Sequence, residues 1–171
     1  PGSSLSLFLA VLAGVGLRCR MSTPFLLPLL ETDSPDWQAV LEAVIAEFGC
    51  TTGTLHRLDP ADGLLKLVAQ KGIPPQLLPV VETIPVGKGI AGAAAERREP
   101  VELCNLQADL GGVAKEGARQ TNVQGSIAVP TLSGGELRGT LGIGKMVPYD
   151  FTHEEKENLL AIASEIAERI V

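Results

Sequence analysis

Along the chain the apolar positions change period several times, and each change marks an element. Trp37, Val40, Leu41, Val44, Ile45 and Phe48 recur at i, i+3, i+4, i+7, i+8 and i+11, which is one face of a helix. The spacing predicts a helix over residues 35–48, with Ser34 as N-cap, Pro35 in the first helical position and Gly49 as terminator. Residues 51–58 and 64–70 then read as paired strands, joined by the turn-forming run Asp59-Pro60-Ala61-Asp62-Gly63. Lys71-Gly72-Ile73-Pro74-Pro75 breaks the second strand, and residues 76–81 fit a short helix. A turn containing Gly87 and Gly89 leads into an alanine-rich amphipathic helix that runs to Arg98, and a short strand follows over residues 101–104.

Residues 105–124 carry no clean period, and a connection of that length in a compact domain is usually functional or mobile. Two further strands, 126–132 and 137–147, flank the turn Ser133-Gly134-Gly135-Glu136. Gly139, Gly142 and Gly144 leave one face of the last strand nearly bare, so a close approach, by a helix, is expected there. The closing helix starts at Thr152, with Glu155 completing a capping box and Glu154 beside it suiting the positive end of the helix dipole. Leu159, Ala163, Ile166 and Ile170 repeat at heptad-like spacing with Leu160, Ile162 and Ala167 beside them, as a core face or a dimer seam. The order is helix, two strands, helix, three strands, helix. An antiparallel sheet flanked by helices, of α+β class, accounts for it.

Composition narrows the function. The 171 residues suit one domain with some extra at one end. A net charge of −6, with basic pairs such as Arg97-Arg98 interleaved with Glu96 and Glu99, argues against nucleic acid as a partner. Cys19, Cys50 and Cys104 are widely spaced without a CxxC pair, and only His56 and His153 could supplement them, so no metal site is expected. Such cysteine usage fits a reducing, cytoplasmic compartment. The apolar run 5–17 is shorter than a membrane span needs and lacks a preceding basic region, so neither a membrane anchor nor a signal peptide is expected. Residues 1–33 read as an N-terminal extension to a domain at 34–171. Met21 suits a native start, with residues 1–20 as upstream sequence and the apolar run as a helix packed on the domain or on a second copy.

Candidate chemistry is sparse. Gly139-Thr140-Leu141-Gly142-Ile143-Gly144 lies within a strand with no helix directly after it, so it is no dinucleotide fingerprint. Val86-Gly87-Lys88-Gly89 lacks the spacing of a P-loop. His56 reads as a strand residue and His153 as a first-turn helix residue, and no Ser–His–Asp grouping is evident. The helix that begins near Ile90 points unpaired N–H groups back at its Gly-rich turn, an end suited to a polar or anionic ligand group.

Four blocks carry a family resemblance: TGTLHRLDPADGLLKLVAQKG (52–72), IPVGKGIAGAAAERREPV (84–101), SIAVPTLSGGELRGTLGIGK (126–145) and FTHEEKENLLAIASEIA (151–167). Their order and wording resemble the GAF domain, a small-molecule-binding module akin to PAS domains. The resemblance implies a six-stranded antiparallel sheet, with the N- and C-terminal helices on one face and a ligand pocket on the other. By family position the candidate ligand-binding residues are Gly89, Ile90, Leu103, Cys104, Val113, Ala114, Thr121 and Ser126. Cyclic nucleotides, amino acids, anions and haem all occur in the family, and these residues single out none, so the cofactor stays unassigned.

The second block also resembles free methionine-R-sulfoxide reductases. Their reactive cysteines align near Ile90 and around residues 115–118, where this chain has none. A bilin photosensor is disfavoured, because Cys104 is followed by Asn105-Leu106 and not by histidine. The expectation is therefore a non-catalytic sensory domain acting as a homodimer through its terminal helices, with output through a downstream signalling protein. A structural dimerisation module with a vestigial pocket is the alternative, and a reductase-like enzyme the further one.

Overall fold

In the computed structural model, residues 23–108 and 122–170 are described. The N-terminal part of this region forms α1 (Leu27–Leu30) and α2 (Trp37–Glu47). Asp36, not Ser34, caps α2: its Oδ1 accepts the amides of Gln38 at 3.0 Å and Ala39 at 3.2 Å. A carboxylate immediately before Trp37 reaches the free amides of the first turn, whereas Ser34 stands two residues too early and Pro35 lies outside the helix. Gly49 follows the helix with φ +56°, as a terminator should.

The hairpin β1 (Thr52–Asp59) and β2 (Leu64–Lys71) follows, with a bulge between Leu55 and His56. A 3₁₀ turn (Pro75–Leu77) and α3 (Leu78–Val81) lead to a three-residue strand, β3 (Thr83–Pro85). The sequence pattern by itself placed no strand there. Next come α4 (Gly89–Arg97), β4 (Val101–Leu103), β5 (Gly125–Ser133), β6 (Glu136–Lys145) and α5 (His153–Ala167). Met146 and Val147, expected in β6, lie beyond it and are exposed. The strands form one six-stranded sheet in the order β3-β2-β1-β6-β5-β4, antiparallel at every pairing.

Successive strand residues face opposite sides, and residues paired across antiparallel strands share a side. Leu55, Ile127, Val129, Leu141 and Ile143 therefore form one layer, over which α2 lays Val40, Leu41, Val44 and Ile45 while α5 lays Leu159, Ile162, Ala163 and Ile166. The apolar stripe of α5 is consumed by this core, as is Ile170 just beyond it. Thr152 and Glu155 form the expected reciprocal capping box. Leu26 and Leu30 join the same core, and the Thr23 hydroxyl donates to Glu165 at 2.6 Å, so residues 23–30 pack as part of the domain.

The opposite face carries α4, whose Ala93 and Ala94 pack with Val101 and Ala128. Gly87 and Gly89 take φ +84° and +64°, turning the chain from β3 into the helix. Gly142 and Gly144 face α4, which lies over β6 as the bare face suggested, whereas Gly139 faces the other side, and the atoms nearest these glycines come from outside the helix. Gly139 lies against the backbone of His56 and Arg57, Val123 and Thr52 cover Gly144, and Gly142 borders open space.

Candidate functional site

That open space is a cavity of about 400 Å³ between the sheet and α4. Its floor spans three strands. Thr54, Gly142 and Ala128 make one row, and Thr52, Gly144 and Ser126 the next. The wall towards β3 comes from Ile73, Leu77, Val80, Val81, Thr83, Ile84 and Pro85, and the opposite wall from Lys88, Gly89, Ile90 and Ala91 at the start of α4. Leu106 and Val123 close one end. Ile127 and Ile143 border the cavity only through their main chain, because their side chains are packed beneath the two long helices.

The floor is open because of glycine. A Cβ at Gly142 would have Thr54 Oγ1 as its nearest neighbour, 3.3 Å away, and Ala128 Cβ at 3.9 Å. Any larger side chain there would project into the cavity. Gly92 acts on α4 instead: a Cβ there would stand 2.5 Å from the Pro85 carbonyl oxygen, so only glycine lets the helix lie so close to its own turn. The Gly87 amide donates to the Gly92 carbonyl at 2.8 Å, locking turn and helix together.

His56 continues the Thr52–Thr54 face of β1 one step beyond the lining and is 1% exposed. Its Nε2 lies 2.8 Å from the carbonyl oxygen of Val81, which can only accept, so Nε2 carries the proton and donates it. This bond ties the end of α3, a cavity wall, to the sheet. Burial pushes the His56 imidazole below its ordinary range, against the Val81 bond that favours the charged form. Among the described residues Nδ1 has no partner, and neither has Oγ1 of Thr140, which pairs directly opposite His56.

Of the residues expected to bind ligand, Gly89, Ile90 and Ser126 line this cavity. Leu103 and Cys104 are outside the lining. Leu103 pairs with Ser126 and shares its face, but sits on the edge strand β4, one strand further from the floor's centre. Cys104 lies just past β4 and is exposed. Val113, Ala114 and Thr121 lie outside the described residues. Thr52, Thr54, Gly142 and the α3–β3 wall were not among the residues expected to bind ligand, although the i, i+2 spacing of Gly142 and Gly144 marks a shared bare face.

Neither described cysteine borders the cavity. Cys50 is packed in the helix-side core, and burial pushes its thiol up to about 11, against the opposing charge of Lys145. Among the described residues no group of three His, Cys, Asp or Glu side chains could hold a metal ion, and no helix is long and apolar enough to cross a membrane.

The family model described as GAF domain matches residues 37–171. The chain belongs to the GAF domain family. Among solved structures, the GAF domain from an Acinetobacter phosphoenolpyruvate-protein phosphotransferase superposes with a TM-score of 0.68 at 19% identity, covering 88% of this chain and 94% of that one. A type II free methionine-R-sulfoxide reductase from Thermoplasma acidophilum gives 0.64 at 20% identity, covering 78% and 89%. The free methionine-R-sulfoxide reductase from Neisseria meningitidis, solved with its substrate, gives 0.63 at 21%, covering 81% and 80%. At these identities the likeness is one of fold. No curated protein sequence matches significantly. The GAF sheet thus carries a cavity on the face that its two long helices leave open.

Proposed function

We propose that this GAF domain is a non-catalytic, small-molecule-binding regulatory module in signal transduction. The cavity of about 400 Å³ carries the reading, since it falls within the roughly 300–1,000 Å³ typical of ligand pockets and is walled by side chains with a few polar groups on its floor. The placement of Cys50 in the core and Cys104 on the surface supports a binding role over thiol chemistry within the cavity. A filled cavity stabilises α3 and the start of α4 together, because both contribute walls, and α4 passes that change to β5 and β6 beneath α5. Two copies associate, on this reading, through the outer faces of α2 and α5, because their inner stripes are committed to the core. A downstream protein in a cytoplasmic setting receives the signal.

Thermal-shift measurement against a small-molecule library tests the binding role. A compound at about a hundred times its dissociation constant adds about 2.7 kcal/mol. For a chain of this size that raises Tm by about 5–11 °C. Gly142→Leu, which directs a side chain into the cavity, abolishes the shift. A library without any Gly142-dependent shift argues for a structural module with a vestigial pocket. Turnover of free methionine-R-sulfoxide that disappears in Cys104→Ser establishes the reductase instead, and sedimentation velocity reports the dimer.

A further inference from the structure

The chemistry of the described lining distinguishes among ligand classes. Ile73, Leu77, Val81, Ile84 and Ile90 present branched aliphatic surface from both walls. The polar atoms facing the interior from the floor are hydroxyls. Thr52 Oγ1 already approaches the Gly144 carbonyl at 3.4 Å. The half-buried hydroxyls of Thr54 and Ser126 have no hydrogen bond among the described residues, and a hydroxyl can both donate and accept. Between Thr54 and Ala128 lies the bare peptide of Gly142, on which the body of a ring-sized molecule can rest.

Charge is placed differently. Among the described lining residues Lys88 alone is ionised, and it is exposed at the rim. A carboxylate stands beside the same turn: Glu96 Oε1 would lie 2.9 Å from a Cβ at Gly87. Lys88 and the Glu96 carboxylate beside Gly87 thus put both signs around the turn that precedes α4. A carboxylate, phosphate or ammonium group carried inside would lose its hydration and meet no buried counter-charge from these residues.

We propose that the cavity takes an uncharged, predominantly apolar small molecule that presents hydrogen-bonding atoms from its edge to Thr54 and Ser126. This assignment rests on the reading of the chain as a small-molecule-binding domain. The ligand's apolar body covers Gly142 and contacts the aliphatic walls, and its polar edge supplies the hydrogen-bond partners that the two hydroxyls lack among the described residues. Ligands dominated by ionised groups are selected against by the same lining.

The test uses the full chain and two fluorescent probes of similar shape, neutral 1-aminoanthracene and anionic anthracene-1-carboxylate, with cyclic GMP and free methionine as further charged comparators. Titration is expected to show binding of 1-aminoanthracene at least ten-fold tighter than of the carboxylate, and a loss of at least ten-fold in Gly142→Leu. The unliganded melting curve of Gly142→Leu verifies that the variant folds, since φ at Gly142 lies outside the left-handed region. Binding of the carboxylate, cyclic GMP or methionine as tightly as the neutral probe, with the same dependence on Gly142, overturns the ligand class while leaving the small-molecule reading intact. If no probe binds in a Gly142-dependent way, both fail.

Discussion

Replacing Thr140 with valine should stabilise this protein. Thr140 is fully buried in β6, and its Oγ1 has no hydrogen-bond partner among the described residues. Valine has nearly the same shape and suits a strand at least as well. A hydroxyl buried without a partner costs about 1–3 kcal/mol, and the hydroxyl's freedom to rotate towards weak acceptors favours the lower part of that range. The expected gain is about 1–2 kcal/mol, or about 2–8 °C in Tm for a chain of this size. Urea denaturation followed through Trp37, the chain's single tryptophan, gives the free energy directly. Thr131 supplies an internal control, being equally buried with an unpartnered hydroxyl, but on the other side of the sheet. A loss of stability in Thr140→Val beside a gain in Thr131→Val would refute the reasoning, because it would mean that Thr140 and the opposed His56 Nδ1 share a hydrogen bond, directly or through water.

Acid should weaken the domain before its carboxylates titrate. Burial holds the folded-state pKa of His56 below its ordinary value of 6.5, so the unfolded chain takes up the proton first. Stability from this group is full above that value, falls as pH drops below it, and keeps falling until His56 itself protonates. Melting curves between pH 7.5 and 5 should show the decline, and His56→Gln should flatten it. Leu141→Ala, in a central strand with 0% exposure, should cost about 2–5 kcal/mol in urea denaturation. Loss of the α5 cap in Thr152→Ala should cost about 0.5–2 kcal/mol by the same measure. Iodoacetamide labelling read by peptide mapping should modify exposed Cys104 well before Cys50, and equal rates would contradict the packing of Cys50 in the core.

Much of the fold was legible because its long elements obey local rules. The stripe from Trp37 to Phe48, the Asp59–Gly63 turn and the Thr152–Glu155 cap each declare an element without tertiary help. β3 was not legible from pattern: three residues are too few to show alternation, and its pairing with β2 exists only once the chain folds back. The cavity divides in the same way. Gly89 and Ile90 follow from the turn and helix that any reading of the sequence finds, and Ser126 from the strand that follows. Thr52 and Thr54 look like ordinary strand residues until the register sets them beside Gly142 and Gly144. The α3–β3 wall depends on His56 reaching Val81 across 25 residues, and no local period records such a contact.

The sheet also tapers. Its central strands run to eight, nine or ten residues, whereas β3 and β4 at the two edges have three each. Pro85 closes β3 and Pro100 directly precedes β4, so donors are further reduced where another strand would pair. Edges this short leave little template for strand-by-strand recruitment of neighbouring chains. The domain can therefore be held at high local concentration with little tendency to polymerise through its sheet.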